Sequence, residues 1–284
     1  MSTKIVKALT IAGSDSGGGA GIQADLKTFA AFGVYGSSVI TAVTAQNTRH
    51  VTGVHVIPSD VVVKQIEAVL SDIGCDAIKI GMLANAGIIQ GVTACLRRYP
   101  KIPVVVDPVM VAKSGDVLLE RDAIRTMREQ LLPLAEVVTP NIPEAEVLLG
   151  RNLQSGEDYT QAARDIFAMG ARSVLLKGGH RPRHEKIELG RNVDSPVVDF
   201  FYDGKEIRQI EGPFIDTPHT HGTGCTLSAA LAAGLANGLK PYPAALQARE
   251  FLTGALRNAF PVGHGKGPVH HFHSWWSRDL PKES

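Results

Sequence analysis

Short apolar runs alternate with amphipathic helical patterns along most of the chain, and this alternation restricts the possible folds. Ala8–Ala12, Ala77–Ile80 and Val104–Val106 are mostly apolar runs, and a helical pattern follows each of them. Apolar strands joined by helices are typical of a parallel sheet with helices on both faces. Asp203-Gly204 lies between two further strand patterns and predicts an antiparallel hairpin. The sequence therefore predicts an α/β fold of three α/β/α layers, with a mainly parallel sheet and a small antiparallel hairpin.

The composition favours one soluble domain that acts on a small molecule. The 284 residues are 44% hydrophobic and show neither a linker nor a repeat, which predicts a single domain over residues 1–284. Its core is expected at about 8–260, and residues 261–284 form a C-terminal tail. The net charge of +1 does not favour a nucleic-acid partner, and no apolar run approaches the ~18 residues of a membrane span. Three widely spaced cysteines fit a reducing cytoplasm, and we expect a homodimer there.

The hexapeptide His221–Thr226 precedes an alanine-rich helical pattern and combines two chemical capabilities. Gly222, Thr223 and Gly224 would present backbone N–H groups at the start of that helix, where anions bind. Cys225 lies in the first turn, where the helix dipole favours a thiolate that could act as nucleophile or base. When these residues are taken alone, a tight glycine turn with a small buried cysteine is the better explanation.

The glycine-rich stretch Gly13–Gly21 follows the first predicted strand and opens a helix. It is not a P-loop, because Gly19-Ala20 stands where that motif needs Lys and Ser or Thr. It also lacks the glycine spacing of a dinucleotide-binding loop, since Ile22 stands where the third small residue is required. A glycine loop at the end of a strand still allows a ligand to approach the backbone closely.

Polar residues collect at the predicted carboxyl ends of the strands, which is where open parallel sheets bind ligands. They are Gly13–Gly21, Gln46-Asn47, Gly81-Met82, Asp107, Asn141 with Glu144, Lys177 and Gly222–Cys225. Asp107 and Glu144 supply oxygens suited to Mg²⁺, Lys177 supplies a positive charge, and the Gln46 amide can pair with a planar heterocycle. Each carboxylate alone is equally explained as a helix cap or a surface charge. Together they supply what phosphoryl transfer requires.

Several ordered motifs resemble one enzyme family, the hydroxymethylpyrimidine/phosphomethylpyrimidine kinases of thiamine biosynthesis. The matching motifs are Ala12–Asp15, Gly21–Asp25, Thr44–Asn47, Lys79–Leu83, Asp107–Met110, Thr139–Asn141, Pro143–Ala145, Lys177–His180 and His221–Cys225. The resemblance extends from about Ala8 to Phe260. It implies a ribokinase-like fold, ATP with Mg²⁺ as cofactors, and two successive phosphorylations. The first is of the hydroxymethyl group of 4-amino-5-hydroxymethyl-2-methylpyrimidine, and the second is of the resulting monophosphate.

The resemblance also implies a role for each matching position. It places Gln46 against the pyrimidine edge, and the other pocket residues are Gly13, Asp25, Met82 and Val109. It places Asp107 and Glu144 at the metal, and Asn141 and Lys177 near the nucleotide. Gly222, Thr223 and Gly224 form the anion hole, and Cys225 takes the position of the aspartate base of related sugar kinases.

Three other functions remain open on the sequence alone. The first is a pyridoxal or pyridoxine kinase of the same fold. The second is a cysteine hydrolase that uses Cys225 with His221 or His180, and the third is a ligand-binding module without catalysis.

Two segments depart from the family pattern. The charged segment Arg181–Ser195 is longer than expected after Lys177–His180. In the tail, His270, His271 and His273 lack the fixed spacing of a metal site, and we expect Phe272 and Trp275 to pack on the domain instead.

Overall fold

The computed structural model describes residues 4–110, 121–178 and 196–276. The predictions made for His180 and for the charged segment Arg181–Ser195 lie outside these residues.

Nine strands and eight α-helices are present in the described residues, and their bounds follow the sequence pattern closely. The strands are β1 (Lys7–Asp15), β2 (Tyr35–Gln46), β3 (Val51–Val56), β4 (Ala77–Ile80), β5 (Val104–Val106), β6 (Val137–Val138), β7 (Val174–Leu176), β8 (Val197–Tyr202) and β9 (Ile207–Gly212). The helices are α1 (Gly21–Ala31), α2 (Ser59–Ala68), α3 (Ala86–Leu96), α4 (Arg121–Thr126), α5 (Ile142–Leu149), α6 (Gly156–Phe167), α7 (Thr223–Ala236) and α8 (Pro241–Arg257). Short helical turns extend α2 to Ile73 and α4 to Leu134.

All nine strands form one sheet in the order β3-β2-β1-β4-β5-β6-β7-β8-β9. The six neighbouring strands β2-β1-β4-β5-β6-β7 pair in parallel. By contrast, β3, β8 and β9 each pair antiparallel with a neighbour. The β8–β9 hairpin turns at Asp203-Gly204, where Gly204 has a φ of 86° that favours glycine. The predicted sheet and hairpin are confirmed.

Helices cover both faces of the sheet, because its central strands are apolar on both sides. Every residue of β4 and β5 is buried. One face packs against helices α2 to α6, and the other packs against α1, α7 and α8. With both faces covered, the carboxyl ends of the parallel strands are the open edge at which a ligand can bind.

Neither Ser59 nor Asp60 caps the start of α2, although Ser and Asp are residue types that commonly cap helices. The N-cap is Pro58, whose carbonyl oxygen accepts the N–H groups of Val61 and Val62 at 2.9 and 3.1 Å. Ser59 and Asp60 already have helical backbone, and Asp60 binds Lys64 instead at 2.9 Å. Neither side chain caps the helix because Pro58 supplies the turn that enters it.

The C-terminal segment returns to the open edge of the sheet. The Thr48 hydroxyl and carbonyl oxygens accept the N–H groups of Gly265 and Lys266, both at 3.0 Å. Phe272 is half-buried and its ring stacks on Trp276 at 5.4 Å, but Trp275 is 62% exposed. The Phe272 ring contacts both tail tryptophans, since it also lies 6.4 Å from the Trp275 ring, and the exposed Trp275 does not pack on the domain as expected. No helix among the described residues is long and apolar enough to cross a membrane.

Candidate active site

The turn before α7 has a backbone that glycine alone adopts easily. Gly222 has a φ of 80°, and its carbonyl oxygen accepts the Thr226 N–H at 2.8 Å to begin the helix. A Cβ at Gly222 would overlap the carbonyl oxygen of Gly19, so the turn lies directly against the N-terminal glycine loop. The two glycine-rich segments that the sequence singled out are therefore neighbours, and they form one wall of the site.

A compact cluster of charges lies beside this turn, at the ends of β5, β6 and β7. Lys177 Nζ is 2.8 Å from Asp107 Oδ1 and 3.9 Å from Glu144 Oε2. The Thr139 hydroxyl donates to Asp107 Oδ1 at 3.1 Å, and the Ser228 hydroxyl donates to Asp107 Oδ2 at 3.2 Å. Three predicted site residues from separate strand ends thus meet at one point.

Burial and mutual attraction set the protonation of this cluster. Burial alone would raise the pKa of Asp107, but the charges of Lys177 and Lys79 hold it below its ordinary value. Burial alone would lower the pKa of Lys177, and the charges of Asp107 and Glu144 raise it instead. Burial raises the pKa of Glu144 to about 7, despite the opposing charge of Lys177. Glu144 is therefore the member of the cluster that titrates near neutral pH.

Gly224 lies in the turn Gly222–Gly224, which we call the anion turn, and stands next to the charged cluster. A Cβ placed on it would lie 3.5 Å from Lys177 Nζ and 3.6 Å from Asp107 Oδ2, both ordinary contact distances. The first turn of α7 therefore faces the lysine ammonium across the space of one small group. An anion bound at the start of α7 would therefore lie close to the Lys177 ammonium.

Asn141 and Glu144 form the capping box of α5. The Asn141 side chain accepts the Glu144 N–H, and Glu144 Oε2 accepts the Asn141 N–H, both at 2.8 Å. Glu144 therefore caps a helix and also approaches Lys177. Glu144 is therefore a helix cap, as the alternative interpretation expected, and the cap also holds its side chain beside the charged cluster.

A second ion pair is fully buried beneath the site. Lys79 Nζ is 2.8 Å from Asp25 Oδ2, both side chains have no exposed surface, and the Thr10 hydroxyl donates to the same oxygen at 2.6 Å. The other oxygen, Asp25 Oδ1, is buried and has no hydrogen-bond partner among the described residues. Burial alone would lower the pKa of Lys79, but the charges of Asp25 and Asp107 raise it, so Lys79 is a cation.

The expectation that the helix dipole makes Cys225 a thiolate near neutral pH is wrong for this structure. Burial raises the pKa of the Cys225 thiol above its ordinary value, as do the carboxylates Asp25 and Asp107. The Lys79 charge and the Gly21 N–H oppose this shift without reversing it. The free-energy cost of removing a thiolate from water is larger here than the stabilisation that the helix dipole provides.

The N-terminal glycine loop carries its own anion. Asp15 accepts the N–H groups of Gly17, Gly19 and Ala20 at 2.8, 3.1 and 2.8 Å. These donors are therefore engaged, and the loop offers a ligand its close backbone rather than those N–H groups. Sequence reasoning missed Asp15 as an organising residue, although an Asp that precedes glycines is a common signal for such a loop.

Asp15 also binds His221, and sequence reasoning did not predict this contact. Asp15 Oδ2 is 2.8 Å from His221 Nε2, and the two residues are 206 positions apart in the chain. The cysteine hydrolase hypothesis offered His221 or His180 as the partner of Cys225; His221 Nε2 is directed at Asp15, and His180 lies outside the described residues. Nothing in the local sequence signals this contact, because it depends on how the two loops fold together.

The remaining predicted pocket residues surround the same edge. Gln46 is half-buried, and its amide lies 3.1 Å from the Thr44 hydroxyl and 3.4 Å from His221 Nε2. A Cβ on Gly13 would lie 2.6 Å from the Met82 terminal methyl, so that side chain fills the space over the glycine. Val109 follows Asp107 in a tight turn, with its N–H bonded to the Asp107 carbonyl oxygen at 2.8 Å.

Two carboxylates of the charged cluster are candidate ligands for a metal ion. Across the described ranges, no three His, Cys, Asp or Glu side chains stand close enough to hold a metal ion, and this holds for the tail histidines too. Asp107 and Glu144 are a two-carboxylate set, which fits Mg²⁺ because this ion takes most of its other ligands from water and substrate phosphates.

Comparison with known proteins assigns the family. Residues 15–270 match the family model described as phosphomethylpyrimidine kinase. The chain belongs to the phosphomethylpyrimidine kinase family. A hydroxymethylpyrimidine/phosphomethylpyrimidine kinase of Rhizobium meliloti is 50% identical over 95% of this chain and 98% of its own. The kinase activity that the resemblance implied is confirmed, and neither a hydrolase nor a module without catalysis fits the family.

Solved structures confirm the ribokinase-like fold. A phosphomethylpyrimidine kinase from Clostridium difficile is 41% identical, with a TM-score of 0.75, and covers 88% of this chain and 99% of its own. An ADP complex of Bacillus subtilis pyridoxal kinase is 40% identical, with a TM-score of 0.84, and covers 95% and 99%. Both kinds of vitamin kinase therefore share the architecture of this chain.

Proposed function

We propose that the chain transfers the γ-phosphoryl group of ATP to the hydroxymethyl group of 4-amino-5-hydroxymethyl-2-methylpyrimidine, and then a second one to the monophosphate. As a member of this kinase family the chain uses ATP, with Mg²⁺ as its metal. The observation that carries the assignment of the site is the meeting of the α7 turn with Lys177 and Asp107 across Gly224. This is the arrangement that an anion in transfer requires.

Gly222, Thr223 and Gly224 hold the transferred phosphoryl group in this proposal. The N-terminus of α7 faces the anion, although the Thr223 N–H also donates to the Thr220 carbonyl oxygen at 3.3 Å, and Lys177 neutralises the anion from the opposite side. Asp107 and Glu144 bind Mg²⁺, which when present supplies charge neutralisation to the phosphates. Asn141 fixes Glu144 through the capping box and borders the nucleotide.

Gln46, Gly13, Met82, Val109 and Asp25 bind the pyrimidine. The support is chemical: Gln46 offers an amide edge, and Asp25 Oδ1 is a buried acceptor without a partner in the described chain. A buried acceptor without a donor costs about 1–3 kcal/mol. The Asp25 side chain has no exposed surface, so a substrate N–H or O–H recovers that energy only when a side-chain movement opens the pocket to it. The 4-amino group and the hydroxyl of the pyrimidine are donors of this kind.

Cys225 serves as the acceptor of the hydroxymethyl proton. Its thiol must first lose its own proton, and because the pKa of the thiol is raised, the thiolate is scarce at neutral pH. Lys79 is the cation that stabilises the thiolate when it forms. Because the transition state of phosphoryl transfer is loose, the base contributes less than the anion turn and Lys177.

Pyridoxal kinase activity is the second candidate, and one observation favours it. The pyridoxal kinase of Bacillus subtilis has a TM-score of 0.84 to this chain, against 0.75 for the phosphomethylpyrimidine kinase of Clostridium difficile. ADP release measured with each substrate, with and without Mg²⁺, separates the candidates. We expect Mg²⁺-dependent ADP release with the pyrimidine and a much lower kcat/KM with pyridoxal. A higher kcat/KM for pyridoxal would reverse the assignment.

We also propose that the chain is a single domain and assembles as a cytoplasmic homodimer. One sheet carries strands from Lys7 to Gly212, and the three cysteines are free, as a reducing compartment requires. The edge strand β3 is exposed along its length and carries apolar side chains, including Val54 at 53% exposure. Val54→Glu should shift the mass in solution from dimer to monomer, whereas the control Leu246→Glu on α8 should not. A wild-type monomer would refute the dimer.

A further inference from the structure

His221 is held in place through both its side chain and its backbone. Its N–H donates to the Gly267 carbonyl oxygen at 3.1 Å, and its own carbonyl accepts the Val269 N–H at 3.3 Å. Its ring nitrogen Nε2 lies 2.8 Å from Asp15 Oδ2. His221 directly precedes Gly222, so the residue that begins the anion turn is fixed against the N-terminal loop on one side and the C-terminal segment on the other.

The side chain of Asp15 can only accept hydrogen bonds in this position. It already accepts three backbone N–H groups from its own loop. Burial alone would raise its pKa, but the hydrogen bonds from His221 and from that loop lower it, so Asp15 is a carboxylate. An ionised carboxylate has no proton to donate. The proton in the contact between Asp15 and His221 therefore belongs to His221 Nε2.

The same ring nitrogen faces the Gln46 amide. Gln46 Nε2 lies 3.4 Å from His221 Nε2, while Gln46 Oε1 lies 3.1 Å from the Thr44 hydroxyl. Two donors cannot bond to each other, so His221 does not consume the Gln46 N–H groups as long as its own proton points at Asp15.

We propose that Asp15 holds the proton of His221 on Nε2 and thereby keeps the Gln46 amide N–H free to donate to a nitrogen of the substrate ring. Asp15 and His221 are then positioning residues for substrate recognition, and they act through Gln46. The proposal rests on the proposed role of Gln46 in binding the pyrimidine. Without the carboxylate, the proton can move to Nδ1, and the bare Nε2 then accepts the Gln46 N–H that the substrate needs.

Nitrogen NMR of the histidine rings in the full-length protein tests the tautomer without any substrate. Spectra recorded at mildly alkaline pH should show a proton on His221 Nε2 in the wild type, and its transfer to Nδ1 in Asp15→Asn. His221→Phe assigns the signal. A wild-type His221 with its proton on Nδ1 alone, or no change in Asp15→Asn, would overturn the proposal.

Kinetics then test whether the effect passes through Gln46. Asp15→Asn should raise KM for the hydroxymethylpyrimidine about tenfold, the worth of one hydrogen bond, with KM for ATP unchanged. In a Gln46→Ala background, Asp15→Asn should raise KM for the hydroxymethylpyrimidine less than about twofold, because the Gln46 amide donor is already absent. An equal penalty in both backgrounds would mean that Asp15 supports only the loop, and would refute the proposal.

A matched control separates loop damage from loss of the donor. Lys27→Met removes the bond from Lys27 Nζ to the Gly18 carbonyl oxygen, 2.7 Å long, in the same loop. It should leave KM for the pyrimidine within about threefold of the wild type, and a tenfold rise would count against the proposal. Absence of any turnover with the pyrimidine would refute the proposed function instead, while the NMR result would still decide the tautomer.

Discussion

Replacing Gly224 by alanine should abolish most turnover without weakening the fold. The added methyl group would lie 3.5 Å from Lys177 Nζ and 3.6 Å from Asp107 Oδ2, which are ordinary contacts. Gly224 lies in the first turn of α7 and has no left-handed φ, so alanine should raise the free energy of unfolding by up to about 1 kcal/mol. The same methyl group fills the space in which we place the phosphoryl group.

The expected loss in kcat is about 100-fold, or about 2.7 kcal/mol in activation free energy. Gly224→Asp should lose more, because it adds a negative charge beside Asp107. The assay is steady-state ADP release with saturating pyrimidine and ATP, together with urea unfolding of each variant. Gly224→Ala with wild-type kcat would refute the placement of the anion.

Gly222→Ala is the contrasting variant, because its defect is in the fold. The left-handed φ of 80° costs a non-glycine residue about 1–2 kcal/mol. The methyl group would also overlap the Gly19 carbonyl oxygen, which adds about 1–3 kcal/mol. We therefore expect a loss of about 2–5 kcal/mol in unfolding free energy. Equal unfolding free energies for Gly222→Ala and Gly224→Ala would contradict the conclusion that only Gly222 is required by the backbone.

Three further perturbations test individual groups of the site. Cys225→Ser should lower kcat about 10- to 100-fold with little change in pyrimidine affinity, and unchanged kcat would remove its role as base. Glu144 has a pKa of about 7, so its carboxyl group is neutral below that pH and charged above it. KM for Mg²⁺ should therefore rise as the pH falls through 7. In Glu144→Gln, KM for Mg²⁺ should not change over the same pH range. Lys79→Met leaves Asp25 as an unpaired buried charge and should lower the free energy of unfolding by about 3–5 kcal/mol, as measured in urea. Adding Asp25→Asn should recover part of that loss, and a fully additive double variant would contradict the pairing.

The layers of the fold and the edge that holds the site could be predicted from the sequence, because hydrophobic periodicity marks each strand and helix. The ends of the parallel strands then identify Asp107, Glu144 and Lys177 as neighbours without any knowledge of side-chain contacts. The helix start at Gly222 also follows from local glycine chemistry.

The contacts between loops could not be predicted in this way. Asp15 and His221 meet across 206 residues, and no spacing rule links them. The protonation of Cys225 was predicted wrongly for a related reason, since the helix dipole is a local property but burial of the thiol depends on the whole fold. The exposure of Trp275 likewise depends on how the C-terminal segment folds back on the domain, which no local pattern shows.

Phosphorus NMR of the reaction mixture tests the central claim most directly. The chain is incubated with Mg²⁺, ATP and 4-amino-5-hydroxymethyl-2-methylpyrimidine, and in a parallel sample with pyridoxal. We expect a pyrimidine monophosphate signal that is replaced by a pyrimidine diphosphate as ATP is consumed, with pyridoxal phosphate formed far more slowly. Absence of the diphosphate, or faster formation of pyridoxal phosphate, would contradict the account.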